Sequence, residues 1–139
     1  MKKIILFIFL TVFIPATLFG CQSESNSEFQ ASDILAKVSI SRSTGFGKVN
    51  SDFFVVYKDD RTLEIFSTVF STAVQEEGIV NIAEPEFDLE VIYEDGTKQE
   101  LHLWVGTPGQ RSTLMNISNT NTIYTVSKEM TAKLIDLVQ

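Results

Sequence analysis

The chain has 139 residues, of which 44% are hydrophobic, and 18 acidic side chains outnumber 11 basic ones to give a net charge of −7. This length and composition indicate one globular domain. A negative surface repels the phosphate backbone of nucleic acids and anionic lipid head groups, so we expect no nucleic-acid partner.

The first twenty residues have the pattern of a secretory signal. Lys2 and Lys3 precede an apolar run that ends before Pro15, and small residues follow. The run has about ten residues, which is typical of a signal peptide and short of the roughly twenty that a transmembrane helix needs. Residues 1–20 are therefore predicted to be a signal peptide.

The end of this segment, Leu18-Phe19-Gly20-Cys21, resembles the lipobox of bacterial lipoproteins. The resemblance implies that Cys21 receives a diacylglyceryl thioether and holds the mature protein at the extracytoplasmic face of the cell membrane. A buried or free exported thiol is the alternative. From Cys21 to position 32 the chain is polar, Ser-rich and without periodicity, which predicts a flexible tether. The folded domain is predicted over residues 33–139.

The domain begins with two predicted strands and a helix. Residues 36–41 alternate between apolar and polar, and residues 52–57 form an apolar run typical of a strand buried on both faces. Asp59 or Asp60 is predicted to cap the helix, and Gly78 to end it. Its apolar stripe, spaced by three and four residues, comprises Leu63, Phe66, Val69, Phe70 and Ala73.

Residues 87–105, FDLEVIYEDGTKQELHLWV, are the plainest β-hairpin in the sequence. Because side chains alternate along a strand, the loop length decides which residues share a face. A two-residue loop would set the apolar side chains of one strand beside the polar ones of the other. A three-residue loop, Glu94-Asp95-Gly96, brings both apolar sets to one face and places Gly96 in the left-handed position, so we predict that loop. The face toward the helices then carries Phe87, Leu89, Val91, Leu101 and Leu103.

The rest of the chain predicts a turn at 107–110, strands at 113–118 and 122–126 separated by a turn at 119–121, and a last helix capped by Ser127. The order is β-β-α-β-β-β-β-α. Strands in hairpin sequence with two amphipathic helices predict an α+β fold, in which both helices pack on one face of an antiparallel sheet.

Trp104 is the leading candidate for a partner contact. The hairpin register turns it away from the helices, and if nothing covers that side it lies on an open sheet face. A single exposed Trp is a typical hot spot for a protein or glycan partner. His102 on the same face and Phe46 in the Gly45-Phe46-Gly47 loop are predicted to contribute. The alternative is a Trp104 covered by the tether or by a loop.

Carboxylates follow the same face. They are Glu86, Asp88, Glu90 and Glu100. A hard cation such as Ca²⁺ takes about six to eight oxygen ligands, whereas a strand spaces alternate side chains about 6–7 Å apart, so a solvated polar face is the alternative. His102 opposite Asp88 also imitates part of a catalytic dyad. No serine lies near it in sequence and the cysteine is assigned to lipid, so we expect no enzyme.

Short strings at Gly45–Gly47, 78–88, Leu103-Trp104 and 122–126 resemble the YhfM-like lipoproteins of Gram-positive bacilli. The resemblance covers about residues 36–138 and the lipobox. It implies a surface lipoprotein with one small domain and no assigned activity, so no catalytic residue is carried over from the family. We expect no cofactor. The expected function is a non-enzymatic binding or interaction module of the cell envelope, whose partner is an envelope protein or wall component. A cation-binding module is the alternative.

Overall fold

The computed structural model describes residues 34–77 and 81–139. The predicted signal peptide, lipobox and tether, as well as Gly78, lie outside these ranges. The elements are β1 (Leu35–Arg42), β2 (Val55–Tyr57), α1 (Asp60–Thr72), β3 (Val74–Glu77), β4 (Phe87–Tyr93), β5 (Lys98–Trp104), β6 (Ser112–Asn116), β7 (Asn119–Val126) and α2 (Lys128–Val138). The strands form one antiparallel sheet in the order β2-β1-β4-β5-β6-β7-β3.

Both helices pack on one face of this sheet, so the predicted α+β architecture is confirmed. Each helix turns one stripe of side chains inward, Leu63, Phe66, Val69 and Phe70 from α1 and Met130, Leu134, Ile135 and Val138 from α2. Alternate residues of the central strands complete the core, among them Val38, Ile40, Leu89, Val91, Leu101, Leu103, Leu114 and Tyr124. Each fully buried side chain of this size contributes about 1.5–3 kcal/mol of transfer free energy.

The helices begin at the predicted caps. The carboxylate of Asp59 accepts a hydrogen bond from the Thr62 backbone N–H at 3.0 Å. That bond stabilises the charged form and holds the pKa of Asp59 below its ordinary value. At the start of α2, the Ser127 hydroxyl accepts from the Met130 N–H at 3.2 Å. Each cap satisfies an N–H that the first helical turn leaves without a partner.

The prediction that α1 continues to Gly78 is wrong. Ala73 is already extended, with φ −64° and ψ 135°, and the chain passes directly into β3. β3 pairs with β7, a partner distant in sequence, and these ladder hydrogen bonds outweigh the helical continuation. The sheet thus gains one strand over the predicted order. The last hairpin turns at residues 117–118 rather than at 119–121.

The predicted hairpin register is confirmed. Asp88 lies opposite His102, and Leu89 lies opposite Leu101. The loop has three residues, since the Tyr93 N–H donates to the carbonyl of residue 97 at 3.0 Å. Gly96 has φ +87°, the left-handed conformation that such a loop requires. The apolar side chains of both strands therefore face the helices, and the polar ones face away.

The prediction of a fully buried strand at 52–57 is wrong. β2 has three residues and stands at the edge of the sheet, where it pairs with β1. Phe54 and Val56 are 48% and 46% exposed. A continuous apolar run does not distinguish a central strand from an edge strand, because the distinction depends on what lies beside it.

Candidate functional site

Residues 43–54, here named the strap, connect β1 to β2 by crossing the sheet face that the helices leave uncovered. The Gly47 N–H donates to His102 Nε2 at 3.3 Å, and the Asn50 N–H donates to Asp88 Oδ2 at 2.8 Å. The Asn50 carbonyl in turn accepts from the Ser41 hydroxyl. Gly45 and Gly47 have φ values of +120° and +96°, a backbone shape that side chains with a Cβ rarely adopt. The two glycines thus allow the strap to fold back onto the sheet.

Beneath the strap lies a cross-strand pair between β4 and β5. His102 Nδ1 and Asp88 Oδ1 are 2.7 Å apart, and both side chains are 0% exposed. Because Nε2 accepts from Gly47, the proton of a neutral imidazole sits on Nδ1 and is donated to Asp88. Both ring nitrogens and both carboxylate oxygens are therefore bonded to protein groups. Of the two alternatives for this face, open or covered, the structure shows the covered one at the pair, because the strap lies over it.

Phe46, His102 and Trp104 form an aromatic cluster at one end of this face. The ring centroids of Phe46 and Trp104 are 6.0 Å apart, and those of Phe46 and His102 are 5.7 Å apart with the two rings nearly perpendicular, at 85°. Trp104 Nε1 donates to the Ala83 carbonyl at 2.8 Å, so the segment before β4 covers part of the indole. Phe46 is 49% exposed. The structure thus brings together the predicted contact residues, with His102 buried beneath Phe46 and the indole partly accessible.

The carboxylates predicted as a cation site do not converge. They are Glu86, Asp88, Glu90 and Glu100. Glu86 accepts from the backbone N–H groups of residues 105 and 106, at 2.5 and 3.0 Å. Glu90 pairs with Lys37 at 3.2 Å, and Glu100 pairs with Lys98 at 2.7 Å, a contact that raises the pKa of Lys98. In the part of the chain that the structure describes, no three His, Cys, Asp or Glu side chains are placed to hold a metal ion.

Sequence reasoning missed Asn50 and the backbone of Gly47 as partners of the buried pair. The signal that could have found them is in β1, where Ser39 and Ser41 point to the same face as Asp88. Both serines are almost fully buried. Small side chains in a strand leave room for another segment to lie close to the sheet. A serine-bearing strand followed by Gly-x-Gly therefore indicated a covered face.

These features define a class: a small α+β domain with one sheet face covered by helices and the other closed by a loop. A solved structure with a similar fold is the thioesterase-like protein from Clostridium sporogenes ATCC 15579, with a TM-score of 0.61 and 16% identity over 76% of this chain and 96% of that chain. At that identity the likeness shows the fold alone. No curated protein matches the sequence. The family model described as YhfM protein matches residues 37–139, and the chain belongs to that family.

Of the helices in the described residues, neither α1 nor α2 combines the length and the hydropathy that a membrane-crossing helix needs.

Proposed function

We propose that this YhfM family member is a lipid-anchored extracytoplasmic lipoprotein whose domain is a non-enzymatic binding module of the cell envelope. Its partner, an envelope protein or wall component, is contacted by Phe46 and Trp104. The lipobox at Cys21 supports the anchoring. The observation that carries the binding role is the half-exposed Phe46 ring packed 6.0 Å from Trp104.

The geometry of this aromatic pair suits recognition. The indole N–H is already bonded to the Ala83 carbonyl, so the accessible part of Trp104 offers an apolar surface. Phe46 is held in place because the next residue, Gly47, bonds to buried His102. A contact fixed before binding loses little entropy when the partner arrives. Aromatic side chains positioned in this way commonly supply most of the binding energy of an interface.

His102 supports a binding role better than a catalytic one. A general base must present a free nitrogen within hydrogen-bond reach of the proton that it removes. His102 Nε2 is occupied by the Gly47 N–H and the side chain is fully buried. The pair with Asp88 therefore serves to position the strap, and through the strap to position Phe46.

A photo-crosslinking amino acid at position 46 tests the binding surface in intact cells. Phe54 is the matched control, because it is also a phenylalanine of the strap, at the end that joins β2, and is 48% exposed against 49% for Phe46. We expect a discrete adduct from position 46 that disappears in Trp104→Ala, and none from position 54. Equal adducts from both positions, or none from position 46, would contradict the proposed surface.

Anchoring has a separate test in fractionated cells. Cys21→Ser removes the thiol that the lipobox resemblance assigns to lipid, so the protein should move from the membrane fraction to the soluble fraction. Two acyl chains anchor firmly whereas a single chain is marginal, so the shift should be nearly complete. Retention of the variant in the membrane fraction would refute lipid anchoring and leave the binding surface untouched.

A further inference from the structure

We infer that the strap is a proton-operated latch, closed while the His102 imidazole is neutral and released when the ring takes up a second proton. The closed strap depends on Nε2 as an acceptor of the Gly47 N–H at 3.3 Å. A second hydrogen bond, from the Asn50 N–H to Asp88 at 2.8 Å, ends on the same buried pair. Of these two contacts, the one from Gly47 ends on the ring nitrogen that takes up the second proton.

The proton changes one contact and preserves another. In the neutral ring, Nδ1–H donates to Asp88 and the Nε2 lone pair accepts from Gly47. A proton added at Nε2 turns that acceptor into a donor, which then faces another donor, the Gly47 N–H. Nδ1–H still donates to Asp88, so the β4–β5 pair remains. The contact with the strap becomes repulsive while the sheet beneath it is kept.

The charged groups around His102 set the direction of the effect. From β4, the Asp88 carboxylate lies 2.7 Å from Nδ1 of the ring. Glu90 on β4 lies two positions from Asp88, and Glu100 on β5 lies two positions from His102. Both face the same side of the sheet as the buried pair, and they are paired with Lys37 and Lys98 respectively. From β6, the residue opposite His102 is Met115, which is buried and carries no charge. Lys48 of the strap is exposed to solvent.

The two strap positions differ in how well they tolerate the imidazolium. In the closed position, burial and the Gly47 N–H both disfavour a proton on Nε2, whereas an open strap lets water solvate it. The open state therefore binds the proton more tightly. By linkage, acid shifts the population toward the open strap and neutral pH closes it.

Opening also moves Phe46, which lies in the strap next to Gly47 and contacts Trp104. Acidification would then separate Phe46 from Trp104 and release a partner bound to these two side chains. This last consequence alone rests on the proposed function, whereas the latch is a property of the isolated protein.

NMR of the full chain in detergent micelles tests the latch. The chain contains one histidine, so the imidazole signal needs no assignment. Amide exchange of Gly47 and Asn50 is followed from pH 8 to pH 5 and divided by the intrinsic rate at each pH. This ratio gives the equilibrium constant for opening of the strap. We expect that constant to rise about fivefold or more as the imidazole takes up its proton, because one hydrogen bond of typical net strength is lost. The Gly96 amide, bonded to the Tyr93 carbonyl in the distant hairpin loop, is the control and should stay constant.

His102→Gln provides the variant test, because glutamine cannot take up a proton in this range, so its strap amides should show no pH dependence. If that variant does not fold, the wild-type titration decides alone. Unchanged Gly47 and Asn50 exchange while the imidazole titrates would overturn the latch, as would a ring that stays neutral until the whole domain unfolds. A working latch with no adduct at position 46 would instead reject only the proposed function.

Discussion

Replacing His102 by leucine should destabilise the domain by about 3 kcal/mol, because the substitution leaves the Asp88 carboxylate buried with one fewer partner. Both side chains are 0% exposed, and their polar atoms are 2.7 Å apart. A hydrogen bond to a charged group contributes about 1.5–3 kcal/mol, and the Gly47 N–H loses its acceptor as well. Breaking a buried pair by removing one partner costs about 3–5 kcal/mol in other proteins. The surviving bond from Asn50 places our estimate at the lower end.

Urea unfolding at pH 7.5, followed by far-UV circular dichroism, measures this loss as a change in midpoint at constant slope. The double variant Asp88→Val with His102→Leu removes the charge together with its partner, and replacing a whole buried pair by apolar residues is often nearly neutral. We therefore expect the double variant to be more stable than His102→Leu alone. Lys37→Met is the comparison variant, since it breaks the partly exposed pair with Glu90 and should cost less than about 1 kcal/mol.

Two outcomes would refute this reasoning. A loss below about 0.5 kcal/mol in His102→Leu, the range of ordinary surface substitutions, would mean that the pair does not stabilise the covered face. The single variant Asp88→Val completes the cycle, and a double variant as unstable as the sum of His102→Leu and Asp88→Val would mean that the two side chains are not coupled.

Further predictions concern the caps and the hairpin loop. Ser127→Ala removes the acceptor of the Met130 N–H and should lower the unfolding free energy by about 1 kcal/mol in the same urea assay. Gly96→Ala should cost about 1–2 kcal/mol through its φ of +87° alone, because a Cβ there meets nothing within 4 Å; an unchanged midpoint would contradict that. The Thr62 N–H holds the pKa of Asp59 below 3.8. The Asp59 carboxylate therefore contributes to folding stability above that value, and this contribution is lost as pH falls through the lowered pKa. Asp59→Asn keeps a capping side chain but cannot titrate, so acid unfolding curves from pH 5 to pH 2 should fall less steeply.

The part of the fold that could be predicted from the sequence is the part set by neighbours in the chain. Helix caps at Asp59 and Ser127 depend on residues three positions away, and the hairpin register depends on one three-residue loop. β3 and the edge position of β2 could not be predicted in this way. Both depend on strands that are distant in sequence, and Val74–Glu77 becomes a strand only because β7 lies beside it.

The covered face, too, could be predicted from the sequence only where it depends on residues close together in the chain. Strand alternation placed Asp88, His102 and Trp104 on the face away from the helices, and that placement is correct. What covers the face could not be derived, because the strap reaches its partners across 55 and 38 positions in the sequence, without any periodicity. The hydrogen bond that buries His102 also holds the neighbouring Phe46 against Trp104. The face whose exposure strand alternation left undecided therefore presents a small aromatic patch formed by Phe46 and Trp104.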